Sequence, residues 1–456
     1  MNQEIPEAIK SVGYLIDAWL PLKLQYDKTP GTSIGIVYKG KLLYKNGFGF
    51  ADVKTKKKAL PNTLYHIASI SKVFTAVAVL QLVEKGLLNL DDTVVKHLPW
   101  FKGKTKKTDS KNITLRQILS HTSGIFRDGD TPHWVTGKFP TSLQKSFSQK
   151  SLSQENLTGF KYSNYGFSLL GQVLEKVTGE FYDQYIQKNI FKALGMESTF
   201  TDYSEGLKNI AAGYGREIPR EKREVFPHYR TNAYAPATGF LSTVADLAKF
   251  VSALSLDSAA KHRLLGRELK KQMMHPYEKT GRGEDKYGLG IETFSLGKRK
   301  VLSHSGGFQG FITQIMFDPE NNLGVVVLSN ALGSSAPALA QGILEALYET
   351  VDAPIKQSGA KKVSFKKYEG AYRNIWGDTV ITKIGNTLVG LSLHSNSPLK
   401  QKTVLKPTGK AHCFIMETEN GFDSRGEIAL FTDFRNGKAQ KVIFGATPSK
   451  RVAVKI

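Results

Sequence analysis

The chain has 456 residues, 40% hydrophobic and 10% aromatic, which fits a folded protein of two or three structural units and excludes wholesale disorder. Its net charge of +23 comes with no nucleic-acid motif, so basic runs such as Lys54–Lys58 and Lys102–Lys107 are predicted to be solvated surface and no nucleic-acid partner is expected. The lone Cys413 excludes an internal disulfide, and the apolar stretch Val73–Val83 is far too short to span a membrane.

In chain order, Ile9, Val12, Ile16, Trp19 and Leu20 recur at helical spacing and predict a first helix ending near Pro21. The N-terminus carries Glu4 and Glu7 and lacks a basic-then-apolar start, so no secretory signal is read and a cytoplasmic chain is expected unless a leader has been removed. Ser33–Tyr38 and Leu42–Phe50 flank Lys39-Gly40-Lys41 and predict a hairpin. A helix is expected from Ser69 to about Lys85, stopped by Gly86. Its residues Val73, Phe74, Val77, Val79, Leu80, Leu82 and Val83 point in most directions, as in a helix buried inside its domain.

From Asp91 to about Val244 the pattern is helical with long loops, including a helix over Leu169–Val177. Strands return at Gly288–Phe294, Lys300–Ser303, Ile312–Phe317 and Leu323–Leu328, followed by a helix over Pro337–Tyr348. Two strand-rich segments thus bracket a helical insert, an α/β arrangement. Past Pro354, turns at Gly385-Asn386, Asn420-Gly421 and Asn436-Gly437 separate stretches that alternate with period two: Val389/Leu391/Leu393, Ile428/Leu430/Thr432/Phe434 and Val452/Val454/Ile456. These predict a separate antiparallel β domain of about eight strands, a sandwich or small barrel.

Three runs carry chemistry. Ser69-Ile70-Ser71-Lys72 places a lysine one helical turn from a serine, on the same face. A serine hydroxyl needs a base, and a buried lysine, favoured in its neutral form, could serve. Six other Ser/Lys pairs share this spacing, so the buried helix is what distinguishes Ser69. Tyr162-Ser163-Asn164 offers a phenol, whose pKa a nearby cation would lower, to shuttle protons, and an amide to orient the lysine or hold a substrate carbonyl. His304-Ser305-Gly306-Gly307 follows a strand, where glycines admit a substrate backbone; the N–H groups of Ser69 and Gly307 would form an oxyanion hole worth about 3 kcal/mol per donor. His121, in Ser120-His121-Thr122-Ser123-Gly124, is read as structural, because no carboxylate partner for a triad is evident.

The ordered S-x-x-K, Y-x-N and H-x-G set resembles the serine β-lactamase-related hydrolases, a family of class C β-lactamases, D-alanyl-D-alanine carboxypeptidases, D-aminopeptidases and esterases. Ile118–Gly124, Tyr162–Gly166, Pro236-Ala237-Thr238-Gly239 and His304–Gly307 carry the resemblance over about residues 25–350. It implies an antiparallel sheet flanked by helices with a mainly α insert: a catalytic domain over 1–350 (about 1–90 and 246–350, insert 91–245), then a lipocalin-like barrel over 354–456. It also implies Ser69 as nucleophile, Lys72 as activator, Tyr162 as acid/base and His304 as base partner. Asn164, Ser305 and Gly306 would bind substrate, with no cofactor or metal required. The lactamases usually carry Lys at the His304 position, and the His form is similar to the peptidases. The expected function is acyl-enzyme hydrolysis of small peptides or amides, ahead of esters or β-lactams; the contrasting expectation is a non-catalytic penicillin-binding-like protein.

Overall fold

A computed structural model describes residues 4–105, 109–147, 152, 159–256, 263–352, 364–418 and 424–453. Lys106, Lys107, Asn420-Gly421, Val454 and Ile456 lie outside the described residues. By compactness the chain divides into two units: residues 32–47 and 51–337 form one, and residues 1–31, 48–50 and 338–456 form the other.

The first unit is built on a nine-stranded sheet. Its strands are β1 (Gly31–Tyr38), β2 (Lys41–Asp52), β3 (Lys57–Lys58), β4 (Glu278–Lys279), β5 (Lys286–Tyr287), β6 (Glu292–Leu296), β7 (Arg299–Phe308), β8 (Phe311–Asp318) and β9 (Leu323–Ser329). They lie in the order β3-β2-β1-β9-β8-β7-β6-β5-β4, so the strand-rich segments on either side of the helical insert close into one sheet through the antiparallel β1–β9 ladder. The expected hairpin forms: Lys39 and Gly40 both take positive φ, the backbone of a two-residue turn matched to strand twist.

Helix α2 (Ser71–Glu84) is buried along nearly its whole length, as its all-round apolar character requires, and Gly86 stands just past its end at φ +71°. Phe74 stacks on Phe250 of α4 (Val244–Ala253), their ring centroids 3.6 Å apart. Helix α3 (Asn164–Thr178) starts earlier than hydrophobic periodicity alone suggests, because Ser163 caps it: its Oγ accepts the Gly166 N–H at 2.9 Å.

In the second unit, α1 spans Glu4–Tyr26. It runs through Pro21, contrary to the expected stop there. Leu20, Leu22 and Leu24 are buried, and that burial outweighs the single backbone hydrogen bond the proline forgoes. The β domain is a closed barrel of eight antiparallel strands in sequence order: β10 (Gly370–Asn374), β11 (Gly377–Ile384), β12 (Thr387–Ser392), β13 (Thr403–Pro407), β14 (Cys413–Glu417), β15 (Ile428–Arg435), β16 (Lys438–Phe444) and β17 (Thr447–Val452), with β17 pairing back onto β10. Its interior is filled by side chains including Ile381, Leu388, Leu405, Phe414, Met416 and Phe431. On β15 the inward residues are Ala429 and Phe431, while Ile428, Leu430 and Phe434 are exposed. Trp19 of α1 donates its indole N–H to the Ser392 carbonyl at the end of β12, at 3.0 Å.

Because α2 carries the second half of the S-x-x-K run, its packing bears directly on the site. Phe74→Ala is expected to lower unfolding free energy by about 3–5 kcal/mol in urea titration, the range for emptying a close-packed aromatic site; a loss below about 1 kcal/mol would show that the helix is not held by this stack.

Candidate active site

Ser69 lies in a single 3-10 turn, Ala68–Ile70, that leads into α2. Ala68 is fully buried at φ +51°, a strained conformation for a residue with a side chain. Its neighbours hold it there. Ser71 Oγ donates to the Ala68 carbonyl at 2.6 Å and accepts the Phe240 N–H at 3.0 Å, while the Ile67 N–H binds the Phe240 carbonyl at 2.8 Å. Half-buried Ser69 is thereby presented at the start of a helical segment, where backbone N–H groups have no intrahelical partners.

Lys72 is fully buried. Its Nζ lies 3.2 Å from Ser69 Oγ, 2.6 Å from Asn164 Oδ1 and 2.7 Å from the Ala237 carbonyl. Burial drives its pKa well below the ordinary 10.5, the Arg127 charge adds to that effect, and Asp128 opposes it. Burial therefore favours the uncharged amine over the ammonium at this position. The two short contacts are to pure acceptors, an amide oxygen and a backbone carbonyl, while the longest is to the serine hydroxyl, which can either accept or donate.

The Tyr162 phenol lies beside the Ser69 hydroxyl, and Lys72 Nζ sits 4.7 Å from the centre of its ring. Its phenol pKa is raised above the ordinary 10, contrary to the lowering expected beside a cation. Desolvation is the larger effect, against the Ser69 hydroxyl and the Arg127 guanidinium, which lies 5.0 Å from the ring centre. The phenol therefore keeps its proton at neutral pH. Asn164, the first residue of α3, is buried and bridges Lys72 to Asp128, whose Oδ1 accepts Asn164 Nδ2–H at 2.6 Å.

The third run sits on β7. His304 is buried, and both its ring nitrogens are engaged. Nδ1–H donates to the Ser305 carbonyl at 2.7 Å, which leaves Nε2 to accept the Tyr287 O–H at 2.9 Å. Burial first, then the Lys72 charge, depresses its pKa to about 3, so it is a neutral imidazole. These partners mean that the structure does not place His304 in hydrogen bonding with Ser69, Lys72 or Tyr162. It reaches them indirectly, through the Tyr287 and His121 rings, whose centroids are 4.8 Å apart, and the His121 and Tyr162 rings at 4.3 Å. His121 Nδ1 accepts the Ser163 N–H at 3.1 Å, so its contacts lie with the second motif's backbone.

The two glycines differ. A side chain at Gly306 would meet the Ile67 carbonyl at 2.1 Å and Thr313 Oγ1 at 2.3 Å, so this position lets β7 lie against the segment that carries Ser69. Thr313 of β8 strengthens that seam by donating to the same Ile67 carbonyl at 3.1 Å. Gly307 is exposed, with Ile312 3.8 Å from a built Cβ. Pairing of β6 with β7 ends at Ser303, so β7 beyond it, including half-buried Ser305 and Gly307, has a free edge on that side.

Three groups at the site escaped the sequence reading: the Ala237 carbonyl, the Asp128 carboxylate and the Tyr287 phenol. Pro236-Ala237-Thr238-Gly239 was visible as a phrase, but a backbone carbonyl leaves no residue-type signal. Asp128 and Tyr287 are single polar residues outside any motif. Among the described residues no cluster of three or more His, Cys, Asp or Glu is placed to hold a metal, and no helix is long and apolar enough to cross a membrane.

The sheet, the flanking helices and this constellation define a serine β-lactamase fold. The family model for Beta-lactamase matches residues 22–348, and the chain belongs to that hydrolase family. It is 31% identical over 331 residues to Protein flp of Staphylococcus aureus (strain MW2), covering 72% of this chain and 64% of that protein; it thus spans a little under two thirds of that curated relative. Among solved structures it is similar to the octameric penicillin-binding protein homologue from Pyrococcus abyssi, with TM-score 0.65 and 26% identity over 95% of this chain and 99% of that one. A D-stereospecific amidohydrolase from Streptomyces sp. shares the fold at TM-score 0.58 and 23% identity, over 75% of this chain and 98% of that one.

The glycine contrast yields a paired expectation. Gly306→Ala should push β7 off the Ile67 carbonyl and lower both thermal stability and Ser69 reactivity, whereas Gly307→Ala should preserve both; equal behaviour in thermal melts and active-site labelling would refute the packing argument.

Proposed function

We propose that the protein is a serine hydrolase that cleaves small peptides or amides through an acyl-enzyme on Ser69. The observation that carries this reading is the fully buried Lys72 amine, its Nζ 3.2 Å from Ser69 Oγ and held by the Asn164 amide oxygen and the Ala237 carbonyl. As Oγ attacks the substrate carbonyl carbon, its proton passes to Lys72 Nζ. The oxyanion that forms would be met by the N–H groups of Ser69 and Gly307. On collapse the C–N bond breaks, the leaving nitrogen takes the Tyr162 proton, and Lys72 returns its proton to the phenolate. Water then adds to the ester carbonyl, its proton travels back through the same pair to Ser69 Oγ, and the acid is released.

Asn164 keeps Lys72 in place, and Ser305 on the free edge of β7 is suited to hold the substrate backbone. His304, neutral and committed to Tyr287 and the Ser305 carbonyl, would hold β7 beside the site without shuttling a proton. Amides are favoured over β-lactams because the third run carries His where the lactamases usually carry Lys, and a fold relative is an amidohydrolase.

A fluorophosphonate probe decides between an enzyme and a binding protein. Labelling at Ser69 that Ser69→Ala abolishes supports the hydrolase, while an unlabelled wild-type chain contradicts it. A panel of peptides, D-amino-acid amides, short-chain esters and a chromogenic β-lactam, run on both proteins, then fixes the substrate class. Lys72→Ala should cut acylation by orders of magnitude with the fold retained, and unchanged turnover would remove Lys72 from the mechanism. The pH dependence follows from the two shifts. Activity requires neutral Lys72, so it should rise with pH through an acidic limb well below 10.5. It also requires protonated Tyr162, whose pKa is raised, so an alkaline decline should appear only above pH 10. A decline centred between pH 7 and 9 would contradict the assigned acid.

A further inference from the structure

We propose that Asp128 is a positioning residue for the Ser69–Lys72 pair, holding the Asn164 amide so that its oxygen, not its nitrogen, faces the lysine. The inference rests on the reading of Lys72 as base. An Asn side chain has two ends of nearly equal shape, one donor and one acceptor. Asn164 Oδ1 takes the Lys72 N–H at 2.6 Å, and a flipped amide would set N–H against N–H there. An ionised carboxylate can only accept. With Asp128 Oδ1 at 2.6 Å from Asn164 Nδ2, a flip would bring oxygen against oxygen on that side too.

Asp128 is itself anchored. The same Oδ1 accepts the Trp134 indole N–H at 2.8 Å, Oδ2 pairs with Arg127 Nε at 3.3 Å, and the Asp128 carbonyl accepts the Tyr234 hydroxyl at 2.6 Å. Arg127 completes the clamp through its backbone: its carbonyl accepts the N–H groups of Asn164 at 2.7 Å and Tyr165 at 3.0 Å. Two adjacent loop residues thus hold the start of α3 and aim its first side chain. The carboxylate side chain is 21% exposed, so its charge is only partly screened.

Charge gives a signature that packing alone would not. The charged and titratable groups facing Lys72 are Arg127, Asp128, Tyr162, His121 and His304, and both histidines are held neutral by burial. Removing the Asp128 charge leaves Arg127 unopposed, so the lysine becomes harder to protonate. Removing Arg127 does the reverse.

The test is the rate of fluorophosphonate labelling at Ser69 across pH, with melting temperatures recorded for each variant. Asp128→Ala should slow labelling at the plateau by about tenfold to a hundredfold, the scale for a misaligned catalytic group. Asp128→Asn should shift the acidic limb to lower pH, Arg127→Ala should shift it to higher pH, and Asp128→Glu should recover most of the rate. Wild-type labelling with rates and limbs unchanged in Asp128→Ala and Asp128→Asn overturns the assignment. If wild-type Ser69 proves unreactive, the hydrolase reading fails by itself. The Asn164 side-chain amide resonances then decide the present point: they should move strongly in Asp128→Ala, and unmoved resonances overturn it.

Discussion

Everything at this site depends on a lysine amine removed from water. Lys72 sits in a helix buried along nearly its whole length, where an ammonium would lose its hydration and gain no carboxylate in direct contact. Its acceptors are an amide oxygen and a backbone carbonyl, which suit an uncharged amine. The same burial that costs the charged form dearly favours an uncharged amine beside a serine hydroxyl. Between the lowered pKa in the folded state and the ordinary 10.5, the unfolded chain binds a proton that the folded chain does not, so this group's contribution to stability falls as pH drops through that window. On the proposed reading the site sacrifices some stability at neutral pH to keep a base, a common trade at functional positions.

The surrounding fold serves to hold that amine and its neighbours in register. The strained Ala68 backbone is fixed by Ser71 and Phe240, so Ser69 is presented at a set angle to α2. Gly306 lets the β7 strand lie directly on the same segment. A capped α3 delivers Asn164 from nearly a hundred residues away, and the turn over Ala235–Gly239 contributes a carbonyl from further still. Each element brings one polar group, and each is anchored by hydrogen bonds that do not involve the reacting atoms.

Much of this was legible in the sequence. The S-x-x-K run on an all-round apolar helix, the Y-x-N run and the glycine-flanked histidine are residue-type signals, and the structure brings Ser69, Lys72, Tyr162 and Asn164 into contact. The barrel was legible too, because period-two alternation and turn signals such as Asn436-Gly437 are local features. Other features were not. The Pro21 passage depends on tertiary burial that outweighs a local rule. On β15 the alternating set Ile428, Leu430 and Phe434 faces out, while Ala429 and Phe431 face the filled interior. The direction of the Tyr162 shift follows from desolvation, which motif spacing does not encode, and the engagement of His304 with Tyr287 depends on β5, which lies two places along the sheet from β7.

The protonation state of Lys72 in the folded chain is the most direct test. Side-chain NMR of ¹³C/¹⁵N-labelled lysines, with the Lys72 signal assigned by its disappearance in Lys72→Met, would follow that one amine through a pH titration. The account predicts a midpoint well below 10.5 and a neutral amine at the pH of maximal activity. A signal that stays ammonium-like up to pH 10 would contradict it.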